Sequence, residues 1–184
     1  MKTLHELCHT IGHTDQHFHG YTELFDVVLP PLNPKNILLL GVNLFGGGDV
    51  WAYSTRFPEA TIDAVDLGFE NIEPIIKNTC SNVKWIQGNV YTYDVFDQVK
   101  NTCFDVIVDD ANHEHPYQYC AYKMYSSLLH DNGIYFIEDV GDEYWCNHLQ
   151  RLIRDTQGDV PHDYQRKQSL LNNQIMLVIK EKTT

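Results

Sequence analysis

Apolar positions in this chain fall into short runs separated by polar stretches of helical period, and that alternation sets the expected elements. Asn36–Val42 (NILLLGV) is a continuous apolar run of strand length, the pattern of a strand buried on both faces. Ala60–Asp66 (ATIDAVD), Val83–Gln87 (VKWIQ), Phe104–Asp109 (FDVIVD) and Ile134–Glu138 (IYFIE) repeat the signal. Between them helices are expected from about Asp49 to Arg56, over Asn71–Asn78, over Val95–Lys100 and over Pro116–Leu129, the last capped at its exit by Asp131-Asn132-Gly133. Glu143–Asp155 predicts a further helix. Asp163–Gln168 and Ile175–Lys180, joined by a turn near Asn172-Asn173, predict a terminal hairpin. The whole reads as an α/β domain with a mainly parallel seven-stranded sheet and an antiparallel C-terminal hairpin. Residues 1–35 are rich in His and polar groups and close with Pro30-Pro31-Leu32-Asn33-Pro34, a cluster expected to stop any helix. No repeat or linker divides the chain, so a single domain over 1–184 is expected, with 1–35 as a cap segment on a core of 36–184.

Composition narrows the partners. The chain carries 25 acidic against 13 basic residues, a formal charge of −12. Such a surface repels phosphate backbones and anionic lipid, so neither nucleic acid nor a membrane is an expected partner, whereas a cationic cofactor or a divalent metal is favoured. No apolar run is long enough to span a bilayer, and the N-terminus lacks the apolar stretch of a secretory signal. The five cysteines are odd in number and show no C-x-x-C spacing, which predicts free thiols in a reducing cytoplasm.

Ligands of such sheets sit over the C-terminal ends of the strands, and the candidate chemistry collects there. Gly41–Gly48 (GVNLFGGG) is a glycine-rich loop that lets a ligand approach the backbone, with Gly41, Asn43 and Gly47 as candidate contacts. It is neither G-x-G-x-x-G, because position 43 is Asn, nor a Walker loop. Asp66 ends the second strand, where a carboxylate accepts both ribose hydroxyls of an adenosine group or else caps the next helix. Asn89 and Val90, after the third strand, are placed to meet an adenine edge. The fourth strand ends Asp109-Asp110-Ala111-Asn112-His113 and the fifth Glu138-Asp139. On neighbouring strands these side chains converge, and their carboxylates repel one another unless a cation such as magnesium, calcium or manganese neutralises them. Asp109 is assigned to the cofactor side. His113, with an ordinary pKa near ~6.5, is the candidate general base. His5, His9, His13 and His17 recur every fourth residue, but Gly12 and Thr14-Asp15 argue against the continuous helix that a zinc-binding stripe would need.

Taken together, these residues make the chain resemble the class I S-adenosylmethionine-dependent methyltransferases. Within them it is most similar to the metal-dependent sugar O-methyltransferases of macrolide biosynthesis (mycinamicin type) and the cephalosporin-hydroxylase-like group. The likeness runs over roughly residues 12–140. It includes Gly12–Tyr21, Ile37–Gly48, Trp51, Phe57-Pro58, Ile62–Asp66, the Asp109-Asp110-Ala111-Asn112-His113 signature with Gln118 behind it, and Glu138-Asp139. The resemblance implies a Rossmann-like class I methyltransferase fold. It further implies that Asp110, Glu138 and Asp139 hold magnesium, that His113 is the base, that Asp66 binds ribose, and that His19 and Tyr21 lie in a segment closing over the cofactor. Leu39 stands where the family usually has an acid, Gln16 where it has Lys, and Ala111-Asn112 where it has Gly-Ser.

The expected activity is methyl transfer from S-adenosylmethionine to a hydroxyl of a sugar or other small polyol. Substrate selection then falls to residues 1–35, the loop after Asp139 or a second subunit, and a homodimer is compatible with that. Two other readings use the same fold. One is a non-catalytic S-adenosylmethionine- or nucleotide-binding module, against which Asp110, His113, Glu138 and Asp139 argue. The other is a nicotinamide-dependent oxidoreductase, against which the absent G-x-G-x-x-G and the terminal hairpin argue.

Overall fold

The computed structural model describes residues 2–42, 46–157, 162–170 and 175–181. Helices α1 (Leu4–Ile11), α2 (Gln16–His19) and α3 (Tyr21–Leu32) precede strand β1 (Asn36–Leu40). Then follow α4 (Gly48–Arg56), β2 (Thr61–Asp66), α5 (Pro74–Thr79), β3 (Val83–Gln87), α6 (Tyr93–Val99), β4 (Phe104–Asp109) and α7 (His115–Tyr125). A short 3-10 turn leads into β5 (Leu129–Val140), α8 (Glu143–Gln157), β6 (His162–Gln168) and β7 (Ile175–Glu181). The strands form one seven-stranded sheet in the order β3-β2-β1-β4-β5-β7-β6. Strands β1 to β5 pair in parallel, and β7 is antiparallel to both β5 and β6. This is the architecture expected from the pattern. The turn near Asn172-Asn173 lies outside the described residues.

The apolar runs divide by the two-residue period of a strand. Leu38, Leu40, Val65, Ile107, Tyr135 and Ile137 face a core shared with α6, α7 and α8. Ile37, Leu39, Ile62, Ala64, Val106, Val108 and Phe136 face the other core, against α1, α3 and α4. Strands clad on both faces need apolar residues at most positions, which is why the runs are largely apolar.

The N-terminal segment is more ordered than its polar composition implies. Thr3 and Glu6 form a capping box that starts α1, the Thr3 hydroxyl accepting from Glu6 N at 3.1 Å and the Glu6 carboxylate from Thr3 N at 2.9 Å. Asp26 of α3 accepts from Leu4 N and His5 N at 2.6 and 3.0 Å, placing a carboxylate at the positive end of α1. Pro30 and Pro31 do not stop α3 but occupy its last turn; the helix ends at Asn33, in the left-handed conformation, just before Pro34. Asp131-Asn132-Gly133 does not cap α7 either. It lies within β5, where Asn132 has φ 68° beside an irregularity in the β4–β5 register.

Phe25 of α3 is wholly buried and meets the Phe136 ring edge-on at 4.8 Å, joining the N-terminal helices to β5. Phe25→Ala should lower the unfolding free energy by about 3–5 kcal/mol, read as a shift of the urea midpoint with unchanged slope.

Candidate active site

The C-terminal ends of the parallel strands open into a cleft of about 510 Å³, within the usual range for small-ligand pockets. Gly41 leaves β1 with φ 80°, and a Cβ there would lie 2.5 Å from the Asp110 carbonyl oxygen. Only glycine lets the exits of β1 and β4 pass this closely. Gly48 plays the same part at α4. Its N–H donates to the His13 carbonyl at 2.9 Å, and a Cβ would meet the Gly12 carbonyl at 2.3 Å. The N-terminal segment is thereby held over the start of α4.

Four of the nine expected cofactor residues line this cleft. Gly41, Asp66, Asn89 and Val90 do so, together with Asp110, His113 and Asp139. The Asp66 carboxylate also holds its own turn, accepting from Val42 N at 2.8 Å and from Gly68 N at 3.3 Å. Asn89 accepts from Tyr91 N at 3.0 Å. Gly47 has φ 81° at the start of α4 but turns toward Ile72 rather than into the cleft. Asn43 lies outside the described residues. Asp109 is buried and not part of the cleft wall. One of its oxygens accepts from Ala111 N at 3.3 Å, the other has no partner among the described residues, and burial pushes the group up to about 7.

Asp110, His113 and Asp139 come together, with one potential ligand atom from each lying within 4.8 Å of the others. Among the described residues this is the one set of three His, Cys, Asp or Glu side chains so placed. His113 Nε2 is 3.2 Å from Asp110 Oδ1, and its Nδ1 is 3.6 Å from Asp139 Oδ2. The hydrogen bond to Asp110, opposed by burial, raises His113 to about 8. Burial pushes Asp110 above the ordinary carboxylate range.

Glu138 is not a member of this set. Its Oε1 accepts from the amide of Gln16 at 3.0 Å, and burial, then the charges of Asp110 and Asp139, raise it well above the ordinary range. The next residue, Asp139, has φ 51°, and the two-residue period of β5 separates the consecutive carboxylates. Tyr21 is buried, and its hydroxyl donates to Asp139 Oδ1 at 2.8 Å. His19 Nδ1 lies 2.9 Å from the Ser169 hydroxyl and 3.6 Å from Asp139 Oδ1, while its Nε2 lies 3.4 Å from Asp15. Neither His19 nor Tyr21 lines the cleft; both stand behind Asp139.

Two acidic residues of the cleft were assigned no role in the expectation, Asp15 and Asp49. Asp49 is in the first turn of α4, and burial followed by the Asp110 charge pushes it up to about 7. An acid immediately after the glycine loop was the available signal. The histidine repeat breaks where α1 ends at Gly12. The His9 ring packs on those of His5 and His17 at 4.6 and 4.3 Å, His13 lies apart and exposed, and none of the four lines the cleft.

No family model matches the sequence, and no curated protein matches it. Solved structures do. The MycE methyltransferase of the mycinamycin biosynthetic pathway, in complex with Mg and S-adenosylhomocysteine, aligns with a TM-score of 0.75 at 19% identity. That alignment covers 98% of this chain and 55% of MycE, so the chain spans little more than half of that protein's length. MycE is also known in complex with Mg, S-adenosylhomocysteine and mycinamycin VI. An O-methyltransferase from Bacillus cereus in complex with S-adenosylhomocysteine aligns with a TM-score of 0.69 at 12% identity, over 98% of this chain and 90% of that one. An O-methyltransferase family protein from Burkholderia thailandensis gives 0.61 at 10% identity, over 92% of this chain and 58% of that one. The fold is the Rossmann-like fold of these methyltransferases.

The raised carboxylates make stability depend on pH. Asp49 and Asp109 titrate near 7 in the folded chain, above the unfolded value of ~3.9. Their contribution is therefore fully present below about pH 4 and lost as pH rises through about 7. In calorimetry without added metal, the melting midpoint should be lower by at least about 2 °C at about pH 8 than at about pH 6. Asp49→Asn should reduce that drop.

Proposed function

We propose that this chain transfers a methyl group from S-adenosylmethionine to a hydroxyl of a sugar or other small polyol, with help from a divalent cation such as magnesium. The sign of charge in the cleft carries the reading. Among the described residues five aspartates line it, with one histidine and no lysine or arginine. A dinucleotide would bring its pyrophosphate against Asp49 at the start of α4, where phosphate binders leave free N–H groups. A sulfonium and ammonium cation meets the opposite potential. The likeness to MycE with Mg and S-adenosylhomocysteine supports the same reading.

S-adenosylmethionine, when bound, supplies a methyl group on a positively charged sulfur. Asp66 would accept from the ribose hydroxyls, and Asn89 and Val90 would border the adenine. Leu39 is buried in the core, so Asp49 and Asp15 are the carboxylates left to face the cationic end. Asp110 and Asp139 would hold the metal; Glu138, engaged by Gln16, would contribute charge from behind. A cation there would lower the pKa of the acceptor hydroxyl. With its proton on Nε2, His113 donates to Asp110 and leaves the Nδ1 lone pair to receive the hydroxyl proton. In taking that proton, His113 would free the acceptor oxygen for the methyl group that the bound cofactor would supply, the sulfur keeping the electron pair of the broken carbon–sulfur bond. The protein's main contribution is to hold the reactants in line.

Calorimetric titration with S-adenosylhomocysteine, with and without magnesium, tests the cofactor; absence of binding in both conditions would overturn the reading. His113→Ala should spare cofactor affinity and lower turnover by about 10²–10⁴-fold. If it instead abolishes cation binding, His113 is a ligand rather than the base. Tyr21→Phe should weaken manganese binding by about 10–100-fold, because Asp139 loses the hydroxyl that orients it, while Asp110→Asn should weaken it further.

A further inference from the structure

A second hollow, of about 580 Å³, adjoins the cleft, and His113 is the one residue that lines both. Its walls come from the first turns of α7, with His115, Pro116 and Tyr119, and from α8, with Trp145, His148 and Leu152. The Trp145 indole stacks on the His115 imidazole with centroids 4.0 Å apart and planes 23° from parallel. Gly141 makes room for the pair, since a Cβ there would lie 3.2 Å from Trp145 and 3.5 Å from His115. Trp145 is thus fixed in orientation yet 40% exposed. A large aromatic ring held still but uncovered, next to the proposed base, is a surface for binding rather than for folding.

The geometry points to this hollow as the acceptor site, and to a neutral acceptor whose hydroxyl is carried on a ring with an apolar face lying against Trp145. The inference rests on the methyl-transfer reading and narrows its substrate class. Because His113 lines both cavities, an acceptor seated in the hollow could present its hydroxyl to that residue while the larger cleft holds the cofactor. Among the described residues no lysine or arginine lines the hollow, Glu114 does, and the adjoining cleft is lined by five aspartates, so a phosphorylated or carboxylated acceptor is repelled. An open-chain polyol offers no face for the indole. A phenolic ring and a pyranose both do.

The test is calorimetric titration of the full chain with catechol, methyl β-glucoside, phenyl β-glucoside and sorbitol, each with and without saturating S-adenosylhomocysteine. At least one ring compound should bind about tenfold more tightly than sorbitol, the factor that a single ring contact supplies. Catechol as the tighter ligand would identify a phenolic acceptor, and methyl β-glucoside a pyranose. Trp145→Ala should remove that advantage, Trp145→Phe should restore most of it, and S-adenosylhomocysteine affinity should stay unchanged in both. Ring compounds that bind no better than sorbitol, or an advantage that survives Trp145→Ala, would overturn the inference. Failure of S-adenosylhomocysteine to bind, with ring binding intact, would overturn the methyl-transfer reading and leave the ring site standing.

Discussion

Like charges crowded at the ends of parallel strands are the constraint to which the rest of this structure answers. Asp66, Asp110 and Asp139 stand at or just beyond three strand ends, and Asp15 and Asp49 complete the cleft. Among the described residues no lysine or arginine offsets them there. Each carboxylate is instead engaged or kept protonated: Asp66 by backbone donors, Asp110 by His113, Asp49 by burial. Positive charge in the cleft would relieve that repulsion, which is why the proposed function assigns it a cationic ligand.

The N-terminal segment is the second half of that solution. Gln16 satisfies Glu138 with a neutral amide, and Tyr21 holds Asp139 by a hydroxyl. Neither partner brings a positive charge, so neither cancels the negative potential that a cation would need. A lysine at position 16 would have done so. The two-residue period of β5 separates the two acids, one behind the cleft and the other in its wall.

Much of this was legible in the sequence, and the parts that were not share a physical reason. The strands announced themselves because a sheet clad on both faces needs largely apolar runs: NILLL is four apolar residues in succession, and TIDAVD and FDVIVD are each broken by a single Asp before the terminal one. Asp110, His113 and Asp139 followed from two strand ends that parallel topology makes neighbours. What pattern could not supply was direction. Glu138 and Asp139 are adjacent in β5, so the two-residue period separates them, but the run itself does not say which of the two faces the cleft. The same holds for Tyr21, whose bond to Asp139 spans 118 residues and is beyond any local pattern. Helix α3 keeps Pro30-Pro31 in its last turn although each lacks the N–H that a helix interior uses, and the local pattern does not report this. The pairing of His115 with Trp145 joins two helices far apart in sequence, and no local period reports it.

The attachment of α2 bears on how the molecule comes into being. His19 bonds to Ser169, and its carbonyl accepts from Leu170 N, contacts that span 150 residues or more. Gln16 reaches across 122 residues to Glu138. During synthesis the first helices leave the ribosome long before β5 and β6 exist to receive them. The apolar faces of α1 and α3 can be covered by β1, β2 and α4 as soon as those elements exist, whereas the polar contacts of α2 must await β5 and the residues after β6. Contacts so distant in sequence form late and slowly. The sheet can begin to assemble around β1, β2 and β4 without them, whereas the site gains its supporting carboxylate contacts only when the two ends of the fold meet. The polar contacts that steady the acids of β5 are thus among the most distant in sequence that the fold contains.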